Sequence, residues 1–111
     1  MTETIRIRPA RTSDVAAIKA LVAPLADQRI LMAKETVAYY ESLQEFRIAE
    51  SDDGEVIGCG ALHVMWEDLA EIRTLAAADS WRGRGVGHVL VEKLLEEARA
   101  LGVSRVFCLT F

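Results

Sequence analysis

The chain has 111 residues, 51% of them hydrophobic and 27% charged, with a formal net charge of -4. This length holds one domain with enough apolar residues for a core, which argues against disorder; the acidic balance, with a pI of about 5.2, argues against the broad basic face that duplex nucleic acid requires. No apolar run approaches the roughly 20 residues of a membrane span and no secretory leader is recognisable, so the expectation is a cytoplasmic protein with neither nucleic-acid nor membrane partners.

Residues 5–9 alternate apolar and polar side chains and predict a short strand closed by Pro9. Thr12 or Ser13 can cap a helix with Asp14 in its first turn. Val15, Ile18, Leu21, Val22 and Leu25 follow at helical spacing, and Pro24 is expected to end or bend this helix. Residues 27–33 have no clear period and read as a loop. A weaker helix over 34–43 would carry Val37, Tyr40 and Leu43 on one side. Phe46 and Ile48 mark a strand, residues 51–54 a hairpin turn, and residues 55–66 a longer, almost continuously apolar strand. Glu67 and Asp68 turn the chain into a third strand over 69–78. From Gly85 onward Val86, Leu90, Leu94, Ala98 and Leu101 share one helical stripe; Gly102 caps that helix, and residues 104–111 form a last strand. The order β-α-α-β-β-β-α-β joins a meander to a βαβ unit and predicts an α+β fold on a mixed sheet, one domain over residues 1–111. Cys59 and Cys108 lie in apolar strands with no Cys or His at metal-ligand spacing, so both read as buried free thiols and no metal is expected.

Gly83, Gly85 and Gly87 stand where the long helix begins, interleaved with Arg82, Arg84 and Val86. Each glycine costs about 1 kcal/mol against alanine in a helix interior. The compensation is a backbone that approaches an anion closely, because a helix N-terminus offers unpaired N–H groups and a partial positive charge. A nucleoside-triphosphate loop is excluded, since this one continues into His88 and Val89 with no lysine and no hydroxyl for magnesium. The dinucleotide fingerprint has different glycine spacing and follows the first strand of a βαβ unit. A glycine-rich connection that serves only tight helix–sheet packing remains as the alternative.

The stretch 82–87 resembles the Gln/Arg-x-x-Gly-x-Gly/Ala motif of the GCN5-related N-acetyltransferases, and the element order is similar to theirs. The resemblance implies a mixed, mostly antiparallel sheet flanked by helices, with Arg82, Gly83, Arg84, Gly85, Val86 and Gly87 holding the pyrophosphate of acetyl-CoA. It also implies that the strand just before the loop is the catalytic one. There, period 2 puts Glu71 and Arg73 on one face and Ile72 and Thr74 on the other. Two opposite charges in an apolar strand are either a mutual ion pair at the sheet edge or groups that face a polar substrate. Amine acetylation needs an unprotonated nitrogen, and a carboxylate acting directly or through water can take the proton. The resemblance assigns that role to Glu71. Arg73 would bind a substrate carboxylate bidentately, and backbone N–H groups around Ile72, Thr74 and Leu75 would polarise the thioester carbonyl.

Residues 24–31, 44–46, 59–62, 71–74 and 106–110 are similar to the amino-acid (glutamate) N-acetyltransferases of arginine biosynthesis, above all to their short bacterial form. The resemblance implies acetyl transfer from acetyl-CoA to the α-amine of L-glutamate, by direct attack in a ternary complex. Glutamate carries two carboxylates and needs at least two anchors. Arg73 is one candidate and Lys34 another, with Leu31 beside it; Arg29 and His63 are weaker, His63 reading as a hydrogen-bonded core residue. Another amino acid or a protein N-terminus as acceptor, and an acetyl-CoA-binding module without turnover, are the alternatives. Family members continue beyond the last strand with a helix and two strands, which commonly supply a tyrosine as general acid. Tyr39 and Tyr40 read as packing residues instead. The expectation is a C-terminally truncated domain whose last strand edge can pair with a second copy as a homodimer.

Overall fold

A computed structural model describes residues 4–27 and 35–109. The chain runs through β1 (Arg6–Pro9), α1 (Val15–Asp27), α2 (Thr36–Glu41), β2 (Phe46–Glu50), β3 (Val56–Trp66), β4 (Leu69–Ala77), α3 (Val86–Ala100) and β5 (Arg105–Cys108), with short 3-10 turns ahead of α1, β2 and α3. The five strands form one sheet in chain order. The first four are antiparallel, and β5 lies parallel to β4 with α3 as the crossover between them. The sheet is therefore mixed and mostly antiparallel, and the expected element order holds.

Side-chain alternation along the strands sorts the core into two layers. On one face Val15, Ile18 and Val22 of α1 and Tyr39 of α2 pack on Phe46, Ile48, Cys59, Ala61 and Ala76. On the other, Val86, Leu90, Leu94 and Ala98 of α3 cover Ala49, Ile57, Leu62, Ala70 and Ile72. Glycine in β3 permits the second contact. A Cβ on Gly58 would stand 2.6 Å from Val86 Cγ1 and 3.1 Å from Leu90 Cδ1. The first turn of α3 thus rests directly on the β3 backbone.

Polar contacts tie the layers together at the periphery. Arg8 on β1 donates to both carboxylate oxygens of Asp14, at 2.8 and 3.0 Å, and through Nε to Glu50 at 2.9 Å. Asp14 also accepts the Arg11 N–H at 2.6 Å and so closes the turn into α1. The Arg8 hydrogen bonds, and after them the Arg11 N–H, hold the buried Asp14 carboxyl below the usual carboxylate range. Asp68 accepts from Ser104 N and Oγ, both at 2.6 Å, which sets where β5 begins beside β4.

Several expectations need correction. Pro24 does not end α1, which continues to Asp27; it stands exposed in the last turn, where little helix remains to be interrupted. The second helix is shorter than 34–43 and turns a different side inward: Tyr39 is 2% exposed, whereas Val37 and Tyr40 are 59% and 50% exposed. Tyr39 sits against Phe46, with ring centroids 6.2 Å apart, so an aromatic contact decides which side of this six-residue helix is buried. Leu101 leaves the predicted stripe and is exposed as the helix cap, while Val103 takes the core position. The cap is a Schellman turn: Val103 N–H bonds Ala98 C=O and Gly102 N–H bonds Arg99 C=O. Of the two thiols, Cys59 is buried and Cys108 exposed. The last strand spans Arg105–Cys108; Thr110 and Phe111 lie outside the described residues.

Candidate active site

The glycine-rich loop connects β4 to α3. After Ala78 a 3-10 turn at Asp79–Trp81 leads into Arg82, and Gly83 and Gly85 both have positive φ, +79° and +84°. Gly85 is the N-cap of α3 in the left-handed conformation, with no side-chain cap. Its carbonyl receives the Val89 N–H at 3.0 Å, so the amides of residues 86–88 ahead of that bond have no helical acceptor. A Cβ added at Gly83, Gly85 or Gly87 would meet nothing within 4 Å. The three glycines therefore border open space and do not serve close packing, which argues against the packing-only alternative. A cleft of about 180 Å³ lies over them, walled by Ala77, Ala78 and Trp81. Arg84 stacks over Trp81, 4.7 Å from the ring centroid, and Arg82 pairs with Asp79 at 3.1 Å. The loop thus offers a cradle of backbone donors at the positive end of a 15-residue helix, which fits a pyrophosphate.

The strand leading to the loop carries the second part. Glu71 and Arg73 share the face of the sheet on which α1 and α2 pack, as their alternation with Ala70 and Ile72 requires. They form an ion pair: Arg73 Nε donates to Glu71 Oε1 at 2.6 Å, with Glu71 7% exposed and the Arg73 side chain 39% exposed. β3 flanks β4 throughout the pair, but β5 flanks it only as far as Ile72, so Glu71 lies inside the sheet and Arg73 just past the end of the β5 pairing. Across the ladder His63 stands opposite Glu71, and its Nδ1 lies 2.9 and 3.1 Å from the two carboxylate oxygens of Glu45. His63 is hydrogen-bonded, as expected, but partly exposed and not the core residue the sequence suggested. Glu71 anchors Arg73 through Nε, and the Nη edge of the guanidinium is the part that can receive a planar carboxylate.

Between these two parts β4 is irregular. Cys59 pairs with Ala76 and Ala61 with Arg73, so Thr74 and Leu75 together oppose Gly60. Thr74 has φ +54°, the single non-glycine residue of positive φ among the described residues, and a β-branched residue there is strained. The bulge reverses the alternation: Leu75 joins the α3 layer, while Ala76 joins the α1 layer. Pairing of β4 with β5 runs from Leu69↔Arg105 to Ile72↔Cys108. Past Ile72, therefore, no strand covers that side of β4 among the described residues, and the backbone at Thr74 and Leu75 lies beyond the end of the β5 pairing.

The structure thus brings Glu71, Ile72, Arg73, Thr74 and Leu75 onto one strand that leads to the cradle at 82–87. Lys34 and Leu31, like Arg29, lie outside the described residues. Sequence reasoning missed Gly58, which seats the loop-bearing helix, and the bulge opposite Gly60. Two glycines inside an apolar strand were the available signal. Among the described residues no cluster of three or more His, Cys, Asp or Glu could hold a metal, and no helix is long and apolar enough to cross a membrane.

Comparison with known proteins agrees with this geometry. The model of the acetyltransferase (GNAT) family matches residues 16–111. An amino-acid acetyltransferase of Mycobacterium tuberculosis is 54% identical over 95% of this chain and 61% of its own length. One from Neisseria meningitidis is 36% identical over 96% of this chain and 24% of its own length. The chain therefore spans about three fifths of the first relative and one quarter of the second. Among solved structures, Rv2747 from M. tuberculosis in complex with CoA and NLQ superposes with a TM-score of 0.91 at 54% identity, over 96% of this chain and 64% of that one. N-acetylglutamate synthase from Neisseria gonorrhoeae, complexed with coenzyme A and N-acetyl-glutamate, gives 0.92 at 34% identity, over 96% of this chain and 25% of that one.

Proposed function

Because the chain belongs to the GNAT acetyltransferase family, we propose that the protein transfers the acetyl group of acetyl-CoA to the α-amine of an amino acid, with L-glutamate as the acceptor. The observation that carries this reading is the succession along one strand: a buried carboxylate paired with a partly exposed guanidinium, a strained bulge, then a glycine cradle at a helix N-terminus. The relatives' names and the ligands in the two solved neighbours support the same acceptor class.

The cradle amides and the positive end of α3 would hold the pyrophosphate, and Arg82 and Arg84 would add charge at its rim. That places the thioester end of the same molecule towards the bulge, where backbone N–H groups of β4 are aimed before the reaction and so cost no reorganisation. Arg73, oriented by Glu71, would receive a carboxylate of the amino acid on its Nη edge. Glu71 then lies beside the ammonium and takes its proton, directly or through one water. The free amine attacks the acetyl carbonyl and the C–N bond forms; the C–S bond breaks, and the second proton lost from the nitrogen passes to the departing thiolate, which leaves as the coenzyme thiol. Lys34 and Leu31 are proposed as further acceptor contacts, the cytoplasm as the site of the reaction, and the β5 edge as a route to a homodimer.

Arg73→Ala tests the acceptor assignment. The expected outcome is a glutamate KM raised about tenfold or more, the loss expected when one charge-assisted contact is removed, with the acetyl-CoA Kd within twofold of wild type. Unchanged glutamate kinetics would refute the role of Arg73.

A further inference from the structure

The bulge on β4 is strained, and strain of that kind persists only where neighbouring groups hold it. Two residues of β3 do so here. Gly60 faces the bulge: its Cβ would lie 3.1 Å from Leu75 Cδ1 and 3.2 Å from Leu94 Cδ1. The missing side chain leaves the space that Leu75 occupies after the register slips. Cys59, buried in the α1 layer, donates its thiol to the Thr74 carbonyl at 3.4 Å. The peptide is trans, so the Leu75 N–H points opposite to the carbonyl that Cys59 holds. The Cys59 contact thus bears on the direction of an amide of β4 beyond the end of the β5 pairing.

We propose that Cys59 is a positioning residue for acetyl transfer: by holding the Thr74 carbonyl it fixes the bulge amide that meets the thioester carbonyl. The proposal rests on the acetyl-CoA reading above and extends it to a side chain that touches neither substrate. No covalent role is assigned to the thiol, which is buried and hydrogen-bonded.

The test compares wild type with Cys59→Ala, Cys59→Ser and Ile48→Val. Ile48 lies opposite Cys59 on β2, one strand further from the bulge, and packs in the same layer, so its variant controls for lost packing. Calorimetry gives the affinities for acetyl-CoA and for free CoA, which lacks the thioester carbonyl; their ratio reads the grip on that carbonyl. Cys59→Ala is expected to lower the ratio about three- to tenfold, on the scale of one hydrogen bond, with free CoA affinity unchanged. Cys59→Ser, which keeps a donor, restores the ratio to within twofold, and Ile48→Val lowers the melting temperature while leaving the ratio alone. With glutamate present, kcat falls in Cys59→Ala and the glutamate KM does not. An unchanged ratio in Cys59→Ala, an equal fall in Ile48→Val, or a wild type that binds both molecules equally overturns the proposal. A ratio that responds as stated in a protein that acetylates no amino acid supports the proposal and removes the acceptor reading alone.

Discussion

Gly58 offers a sharp test of how the fold positions the coenzyme loop. It lies in β3, and α3 begins with Val86 directly above it. A methyl group at this position would stand 2.6 Å from Val86 Cγ1, 3.1 Å from Leu90 Cδ1 and 3.2 Å from the Ala76 carbonyl oxygen. Ordinary carbon contacts lie near 3.5–4.0 Å, so Val86 must retreat by about 1 Å. Val86 is fully engaged in the core and is the first residue of the helix. Its movement therefore carries the cradle amides with it. Overpacking of this kind costs about 1–3 kcal/mol. Gly58→Ala is accordingly predicted to lower stability in denaturant melts by about 2 kcal/mol and to weaken acetyl-CoA binding about tenfold, although position 58 is covered by the helix. Val86→Ala removes the clashing Cγ1. In a double-mutant cycle the pair should recover at least about 1 kcal/mol relative to the sum of the single changes, the coupling expected of residues in contact. A Gly58→Ala protein of wild-type stability and affinity, or a strictly additive double mutant, would refute this account of the loop's support.

Further predictions follow from the same geometry. Gly85→Ala forces a left-handed φ on a residue with a Cβ, at about 1–2 kcal/mol, so acetyl-CoA affinity should fall about tenfold in calorimetry while the glutamate KM holds. Glu71→Gln keeps a partner for Arg73 but cannot take a proton; kcat should fall about 10²- to 10⁴-fold, with both binding constants within a few-fold of wild type. Asp14 has a depressed folded pKa, so its contribution to stability is present above the unfolded value near 4 and is lost as pH falls through the lower folded value. The deficit of Asp14→Asn, about 3 kcal/mol for a buried pair broken on one side, should be full at pH 7 in denaturant melts. It should shrink steadily below pH 4; a deficit that stays constant down to pH 2 would refute the linkage.

The legible parts of the sequence were those where one physical requirement dominates. The stripe Val86, Leu90, Leu94 and Ala98 keeps its period along the helix and was readable, as was the apolar run of β3, which is buried over residues 57–62 and exposed at Val64, Met65 and Trp66. The cradle was readable because glycine at 83 and 85 answers a backbone requirement that local sequence shows directly. Val37 and Tyr40 were misplaced because a helix of six residues has too few turns for its pattern to choose a side, and the choice fell to the contact of Tyr39 with Phe46 across the layer. The bulge was illegible because it arises from the register between β3 and β4, not from either strand alone. The pattern Glu71, Arg73 fixed their shared face but not their relation. Their ion pair leaves the substrate role open to experiment, since the Nη edge of Arg73 can still receive a carboxylate.

The most direct test of the proposed function is release of coenzyme thiol from acetyl-CoA, measured against a panel of the twenty amino acids with this chain and with its longer, 54%-identical relative. Acetyl transfer to glutamate predicts thiol release that rises with glutamate, exceeds that for every other amino acid, and falls in Arg73→Ala and Glu71→Gln. Thiol release that no amino acid raises above the rate with acetyl-CoA alone, in either protein, would contradict it.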